Sequence, residues 1–450
     1  MRYIIVLFIG SLFFANLSFA GTNTPPFKRG EVAVYAIPSQ LSSFEVKKHL
    51  PLSGISILNV EPGKELGLIQ RLQKSGKRAG LNLIAKRSLS DPYYPLQWHL
   101  QSVQAEQAWQ FTTGNNVAVA VLDTGLKPGG NDGVRVCEPF IGKDIVSNDN
   151  DPNDGDGHGT HVSGTIAQNS DNATGVAGLA YGACVVPVKV LNDSGSGSFA
   201  DIAEGIYYAV ANGAKVINMS LGTNARFALT NDPIMDPALD YAFSKGVTVV
   251  AASGNDGHRK NVSYPAIYPT TIAVGATDYR NQLTRYSNQG QGLDMVAPGG
   301  DVKRDDNGDG YGDGVLQEMN AGTWNYYFLN GTSMASPHVA AAAALLLAKE
   351  PNLSVTQVKQ RLFDYAQDLG KGGYDSQYGH GLLQVYNSLS KSSTNNPPPV
   401  SGDDADGDGY TVADGDCDDT DASIHPGAND TRGKKGRDGI DNDCNGIIDG

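Results

Sequence analysis

Three short stretches of this chain hold a carboxylate, an imidazole and a hydroxyl where each could react. Residues 119–125 read Val-Ala-Val-Leu-Asp-Thr-Gly, an apolar run that stops at Asp123. A carboxylate buried there can fix a histidine's tautomer and stabilise its charged form. Residues 158–166 read His-Gly-Thr-His-Val-Ser-Gly-Thr-Ile, and the glycines allow close backbone approach around His158. Histidine suits proton transfer because its free pKa lies near ~6.5. Residues 331–338 read Gly-Thr-Ser-Met-Ala-Ser-Pro-His and run into an alanine- and leucine-rich stretch ending at Lys349. Ser333 then stands at a helix N-terminus, where free N–H groups and the dipole favour a developing oxyanion. A neutral hydroxyl attacks poorly without that help and an adjacent base. Acyl transfer is the chemistry these groups suit, whereas His161 and His338 read as structural.

Those groups need a frame, and the apolar pattern supplies one. Short apolar runs at 117–122, 185–191, 216–220, 247–252 and 271–274 read as buried parallel strands. Helical stretches lie between them, at 200–212 before Gly213 and at 237–245 before Gly246. Ser354 and Gln357 form a capping box ahead of a helix at 355–367. The alternation predicts an α/β fold, a mostly parallel doubly wound sheet whose sites lie at the carboxyl ends of its strands. Ahead of it, strand-like runs at 31–37 and 55–60 with helical pieces suggest a small α+β unit.

Asp123, His158 and Ser333, in that order and within those motifs, resemble the subtilisin-like serine proteases, or subtilases, over about residues 91–387. The resemblance implies a serine endopeptidase acting on protein or peptide substrates, most simply as a monomer. Residues 251–255, Ala-Ala-Ser-Gly-Asn, resemble the segment that supplies an oxyanion-hole asparagine, so Asn255 would donate its side-chain amide. Ser220, Leu221 and Gly222 resemble the strand that pairs with an extended substrate, and Ala252, Ser253 and Gly254 would wall the pocket for the residue before the cut. Ser263 resembles the position at that pocket's base, with no carboxylate to demand a basic residue. Met334 follows the nucleophile as in many relatives and would be prone to oxidation. The family usually carries an N-terminal segment that folds and inhibits the enzyme before being cut away. Residues 21–90 have the length and place for such a propeptide, and the start of the mature chain resembles the stretch from Asp91, so the peptidase domain spans 91–390.

The flanks carry their own signals. An apolar run ending in Ser18-Phe19-Ala20 reads as a signal peptide at 1–20, which predicts a secreted protein, extracellular or periplasmic. No later run is long and apolar enough to span a membrane. The formal charge of −14 argues against nucleic-acid binding. Export permits disulfides, and the 4 cysteines pair within candidate domains as Cys137 with Cys184 and Cys417 with Cys444, though connectivity is not written in a sequence.

Asp305, Asn307, Asp309, Tyr311 and Asp313 place oxygen donors on alternate residues of a glycine-rich loop, a pattern that suits calcium in a structural role. Beyond a proline-rich linker at 391–402, an acidic tail at 403–450 repeats the pattern with Asp404, Asp406, Asp408, Asp416, Asp418, Asp441 and Asp443. This tail resembles a metal-binding motif appended to many bacterial secreted proteins, but has Arg437 where the motif commonly has a further cysteine. Its oxygen donors favour calcium, with His425 leaving a transition metal open. A rival reading, a noncatalytic secreted calcium-binding or adhesive protein on the same scaffold, has against it that all four polar groups needed for catalysis are present.

Overall fold

In the computed structural model of the chain, residues 27–83, 89–139 and 142–390 are described. The chain divides into two units between Ser88 and Leu89, two residues before the boundary expected from the sequence.

The first unit is a four-stranded antiparallel sheet, with strands β1 (Phe27–Tyr35), β2 (Val46–Leu50), β3 (Ile55–Asn59) and β4 (Ala79–Leu83) in the order β2-β3-β1-β4. Helix α1 (Glu65–Lys74) lies in the chain between β3 and β4. Its Leu68, Ile69 and Leu72 recur at helical spacing and are buried with Val32, Val34 and Leu58 of the sheet. The two strands expected here are β1 and β3, each ending slightly earlier than the apolar runs.

The second unit holds seven parallel strands: β5 (Ala118–Asp123), β6 (Lys143–Asp144), β7 (Cys184–Lys189), β8 (Val216–Met219), β9 (Thr248–Ala252), β10 (Thr271–Thr277) and β11 (Met295–Pro298). Their order is β11-β10-β9-β8-β5-β7-β6. All five apolar runs expected as parallel strands are in it, shifted by one to three residues at an end. Alternate residues of the central strands point to opposite faces. Val119, Val121 and Val185 pack with α4 (His158–Ala167) and α7 (Thr332–Lys349); Ala120, Leu122 and Val186 pack with α5 (Phe199–Ala211) and α6 (Asp236–Ser244). The sheet is thus covered on both faces, as a parallel sheet requires.

Short α2 (Trp98–Ser102) and α3 (Ala105–Ala108) precede the sheet, and α8 (Val355–Asp364) and α9 (Val385–Ser390) close the unit. The expected capping box is formed: Ser354 Oγ accepts the Gln357 amide, and the Gln357 side chain accepts the Ser354 amide. The helix it starts is three residues shorter than the pattern suggested. Strands β12 (Val315–Asn320) and β13 (Trp324–Leu329) form a hairpin outside the main sheet. Cys137 and Cys184 are joined in a disulfide. Cys417, Cys444, the signal segment and the acidic tail lie outside the described residues.

Candidate active site

Strand β5 ends at Asp123, helix α4 begins at His158, and helix α7 carries Ser333 as its second residue. Each element therefore stops or starts where its reactive group stands, at the carboxyl end of the sheet. The approach of β5 to α4 is tight enough to require glycine. A Cβ on Gly159 would lie 2.2 Å from the Gly125 carbonyl oxygen, and Gly125 itself has φ of +114°. The Gly159 amide donates to Thr124 Oγ1 at 2.9 Å, tying the two elements together beside the histidine.

Asp123 is fully buried, and its Oδ1 accepts the His158 Nδ1–H at 2.7 Å. A carboxylate can only accept, so the proton sits on Nδ1 and Nε2 is left to take another. Burial works against charge on this ring. The Asp123 carboxylate, its hydrogen bond, and the charges of Asp156 and Asp154 outweigh that and push the pKa up to about 9.

One turn further along α4 the environment reverses. Burial holds the His161 pKa down to about 4, and its Nε2–H meets the Val315 and Tyr327 carbonyls, each at 3.1 Å. His338 is likewise buried and held down to about 4. Its Nδ1–H donates to Met334 O, so its Nε2 accepts from His99 Nδ1–H at 2.8 Å. His161 ties α4 to the hairpin and His338 ties α7 to α2 in the interior, in keeping with the structural role expected of them.

Ser333 lines a cleft of about 590 Å³ together with His158, Asn255, Ser220, Leu221, Gly222, Ala252, Gly254 and Ser263. Its hydroxyl donates to the Ser220 carbonyl at 3.3 Å. Among the described residues no hydrogen bond joins it to His158, so imidazole and hydroxyl share the cleft without being linked in it. Pro337, one turn on, lacks the N–H that would take up the Ser333 carbonyl. Ser220 Oγ donates to that carbonyl instead, at 2.8 Å.

Asn255 is oriented by Thr332, whose backbone N–H and hydroxyl both donate to its Oδ1, at 2.9 and 3.0 Å. The side-chain carbonyl is thereby committed and the NH₂ group has no hydrogen-bond partner among the described residues, which is the state an oxyanion donor needs. Ser263 Oγ accepts from Asn288 Nδ2 at 3.2 Å at the cleft wall. Ser253 is off the wall: its side chain is buried and donates to Asn288 O. Leu191, Phe199, Ile202, Asp156 and Asp256 also line the cleft and were not read from the sequence. Their only signal was position, at the end of β7, at the start of α5 and beside the motif residues.

In the aspartate-rich loop, Asp305 accepts the amides of Gly308, Asp309 and Gly310, and Asp309 accepts that of Tyr311. Asn307 Oδ1 accepts the Asp309 amide. Asp313 Oδ2 accepts the Asp306 amide at 2.6 Å, while its Oδ1 is buried without a partner and burial pushes the carboxyl up. The donor chemistry and this orphaned oxygen suit a hard cation. Among the described residues no group of three or more His, Cys, Asp or Glu side chains is gathered to hold a metal ion. The tail's candidate ligands lie outside the described residues.

Comparison with known proteins places this architecture. The subtilase family model matches residues 114–381, more than half of the chain, and the Cu-binding MopE model for a metal-binding motif matches residues 416–450. Subtilisin DY of Bacillus licheniformis is 42% identical over 275 residues, covering 60% of this chain and 90% of its own length. The minor extracellular protease Epr of Bacillus subtilis is 36% identical over 290 residues, 64% of this chain but 41% of the Epr chain. Among solved structures, a protease of Pseudoalteromonas arctica superposes with a TM-score of 0.61 at 31% identity, covering 68% of this chain and 99% of its own. A shared parallel sheet, the family match and the subtilisin likeness agree: the chain belongs to the subtilase family and is a serine-type endopeptidase.

Proposed function

We propose that this enzyme cuts proteins through an acyl-enzyme formed on Ser333. Substrate entering the cleft displaces the resting contact of Ser333 with the Ser220 carbonyl. His158 Nε2 removes the hydroxyl proton as Oγ attacks the peptide carbonyl, then returns it to the leaving amine. Asp123 holds the ring tautomer and balances its charge, while the free NH₂ of Asn255 and the Ser333 backbone N–H at the start of α7 stabilise the oxyanion. Ser220, Leu221 and Gly222 pair with the substrate backbone, and Ala252, Gly254 and Ser263 wall the side-chain pocket. The observation that carries this reading is the 2.7 Å His158–Asp123 contact beside a cleft that also holds Ser333 and Asn255.

Its test is casein hydrolysis by the full chain and by Ser333→Ala. Loss of activity in the variant is expected, and equal activity would overturn the assignment.

The same reading makes the protein a secreted zymogen. Residues 1–20 direct export and residues 21–90 fold as an inhibitory propeptide that self-processing removes near Asp91. The separate first unit and an extracellular relative support this. Mass spectrometry of the mature termini tests it. Asp305, Asn307, Asp309, Tyr311 and Asp313 would hold calcium, whose charge would neutralise the loop and stiffen it without entering the chemistry. Metal and the Cys417–Cys444 disulfide would hold the tail, where oxygen donors favour calcium and the matched motif's name points to copper. Titration of the tail with each ion separates the two. Among the described residues no helix is long and apolar enough to cross a membrane.

A further inference from the structure

We infer that Asp154, buried beneath the loop that leads to His158, is a positioning residue for the reaction, acting through Thr160 to hold the imidazole at its distance from Asp123. The inference rests on the reading of His158 as the base. Helix α4 starts at His158 after Gly157, whose φ is +102°, and no side chain at the cap position satisfies its first amides. Asp154 does so from further back. Its Oδ1 accepts the amides of Gly157 at 2.8 Å and Asp156 at 3.0 Å, and its Oδ2 accepts the Thr160 amide at 2.9 Å and the Thr160 hydroxyl at 2.6 Å.

Four hydrogen bonds thus converge on one carboxylate that solvent does not reach. They span residues 156–160, so His158 is bracketed on both sides. A charged carboxylate at the N-terminal end of α4 also complements the helix dipole.

The contact continues to the other reactive group. Thr160 Oγ1, while donating to Asp154, accepts the Lys127 amide at 3.0 Å. Lys127 lies in the segment that leaves β5 just after Asp123. Asp154, Thr160 and Lys127 therefore join the approach to the histidine with the exit from the aspartate. Breaking that link lets the ring drift from Asp123 without touching substrate. A misplacement of about an ångström in a reacting group can cost roughly a hundredfold in rate.

Charged and titratable groups facing the His158 ring are Asp123 from β5, Asp156 and Asp154 from the preceding loop, and His161 from α4 itself. The negative charge on Asp154 therefore also favours the protonated ring.

The experiment compares Asp154→Asn, Thr160→Val and Thr160→Ser in the full chain, processed by added active protease where needed. Readouts are kcat and KM on a short chromogenic peptide, the rate of labelling by a fluorophosphonate, and the pH midpoint of kcat/KM. Asp154→Asn is expected to lower kcat and labelling roughly tenfold to a hundredfold with little change in KM, and to move the midpoint down. Thr160→Val should lower kcat less and move the midpoint down less, and Thr160→Ser, which keeps the hydroxyl, should restore both. A folded Asp154→Asn enzyme with unchanged kcat and midpoint overturns the inference. If Asp154→Asn does not fold, Thr160→Val decides: a lowered kcat rescued in Thr160→Ser supports the link, and an unchanged kcat removes it. His158→Ala in the same assay tests the reading beneath, since full activity there would remove the base itself rather than its support.

Discussion

Two histidines three positions apart on one helix do opposite things. His158, at the cleft end of α4, has Asp123, Asp156 and Asp154 around it and a pKa pushed up to about 9. His161, one turn into the interior, faces carbonyl oxygens of the hairpin and is held down to about 4. His161 is fully buried and His158 partly so, and burial alone would lower the pKa of both. Nearby carboxylates reverse that outcome at one end of the helix only. The same residue type in the same motif is thus suited to proton transfer at the cleft end and ties the helix to the hairpin at the inner end.

The largest effect that separates the two ends is loss of the base. His158→Ala should lower kcat by about 10⁶ with the fold intact by circular dichroism, whereas His161→Ala should act first on melting temperature. Next comes the partner that marks the cleft end. Asp123→Asn should cost about 10⁴ in kcat, because the amide no longer enforces the Nδ1–H tautomer. An Asp123→Asn enzyme with near-normal kcat would mean that the 2.7 Å contact has no part in the chemistry. Smaller again, Asn255→Ala should lower kcat roughly a hundredfold to a thousandfold with KM little changed, through loss of one oxyanion donor.

Acid titration sharpens the contrast further, because the pKa shifts at the two ends run in opposite directions. At the cleft end the ring must be unprotonated to act, so a raised pKa costs activity as pH falls through it. The midpoint of kcat/KM should lie above the ordinary 6.5, and Asp156→Asn should lower it. A midpoint at or below 6.5 would show that burial, not the carboxylates, dominates.

At the inner end a lowered pKa acts on stability. Between the unfolded value near 6.5 and the folded value near 4, the unfolded chain binds protons that the folded His161 and His338 do not. Stability should therefore fall as pH drops through that window, read as the melting temperature of the phosphonate-inhibited enzyme. His338→Gln should flatten the slope by up to about one proton. An unchanged slope in that variant would remove His338 from the account.

Much of the frame was legible because its signals are local. Runs of Val, Ile and Ala too short for helices identified five of the seven parallel strands, and Ser354 with Gln357 marked the head of α8. The two missed strands, Lys143–Asp144 and Met295–Pro298, lie at the sheet's edges and are short, so neither has a clear apolar period. The hairpin of β12 and β13 escaped notice for a related reason: it sits outside the sheet, and its apolar residues do not form a long run. At the site, Asp123, His158 and Ser333 stood out at the ends of strongly patterned elements. Leu191, Phe199 and Ile202 did not, since an apolar residue near the end of a strand or the start of a helix reads equally well as core.

The order of chemical groups along the chain, the strand and helix alternation, and the glycines that permit close approach were all properties of neighbouring residues, and so could be read before folding. Which faces met could not. That Ser333 rests on the Ser220 carbonyl, that Thr332 turns the Asn255 amide toward the cleft, that Ser253 lies inside and that Asp154 braces the histidine are outcomes of contacts between residues far apart in sequence or of loop geometry. Such contacts depend on how strands order themselves in the sheet and how helices settle on it, and these are decided by packing over the whole domain rather than by any one segment's propensity.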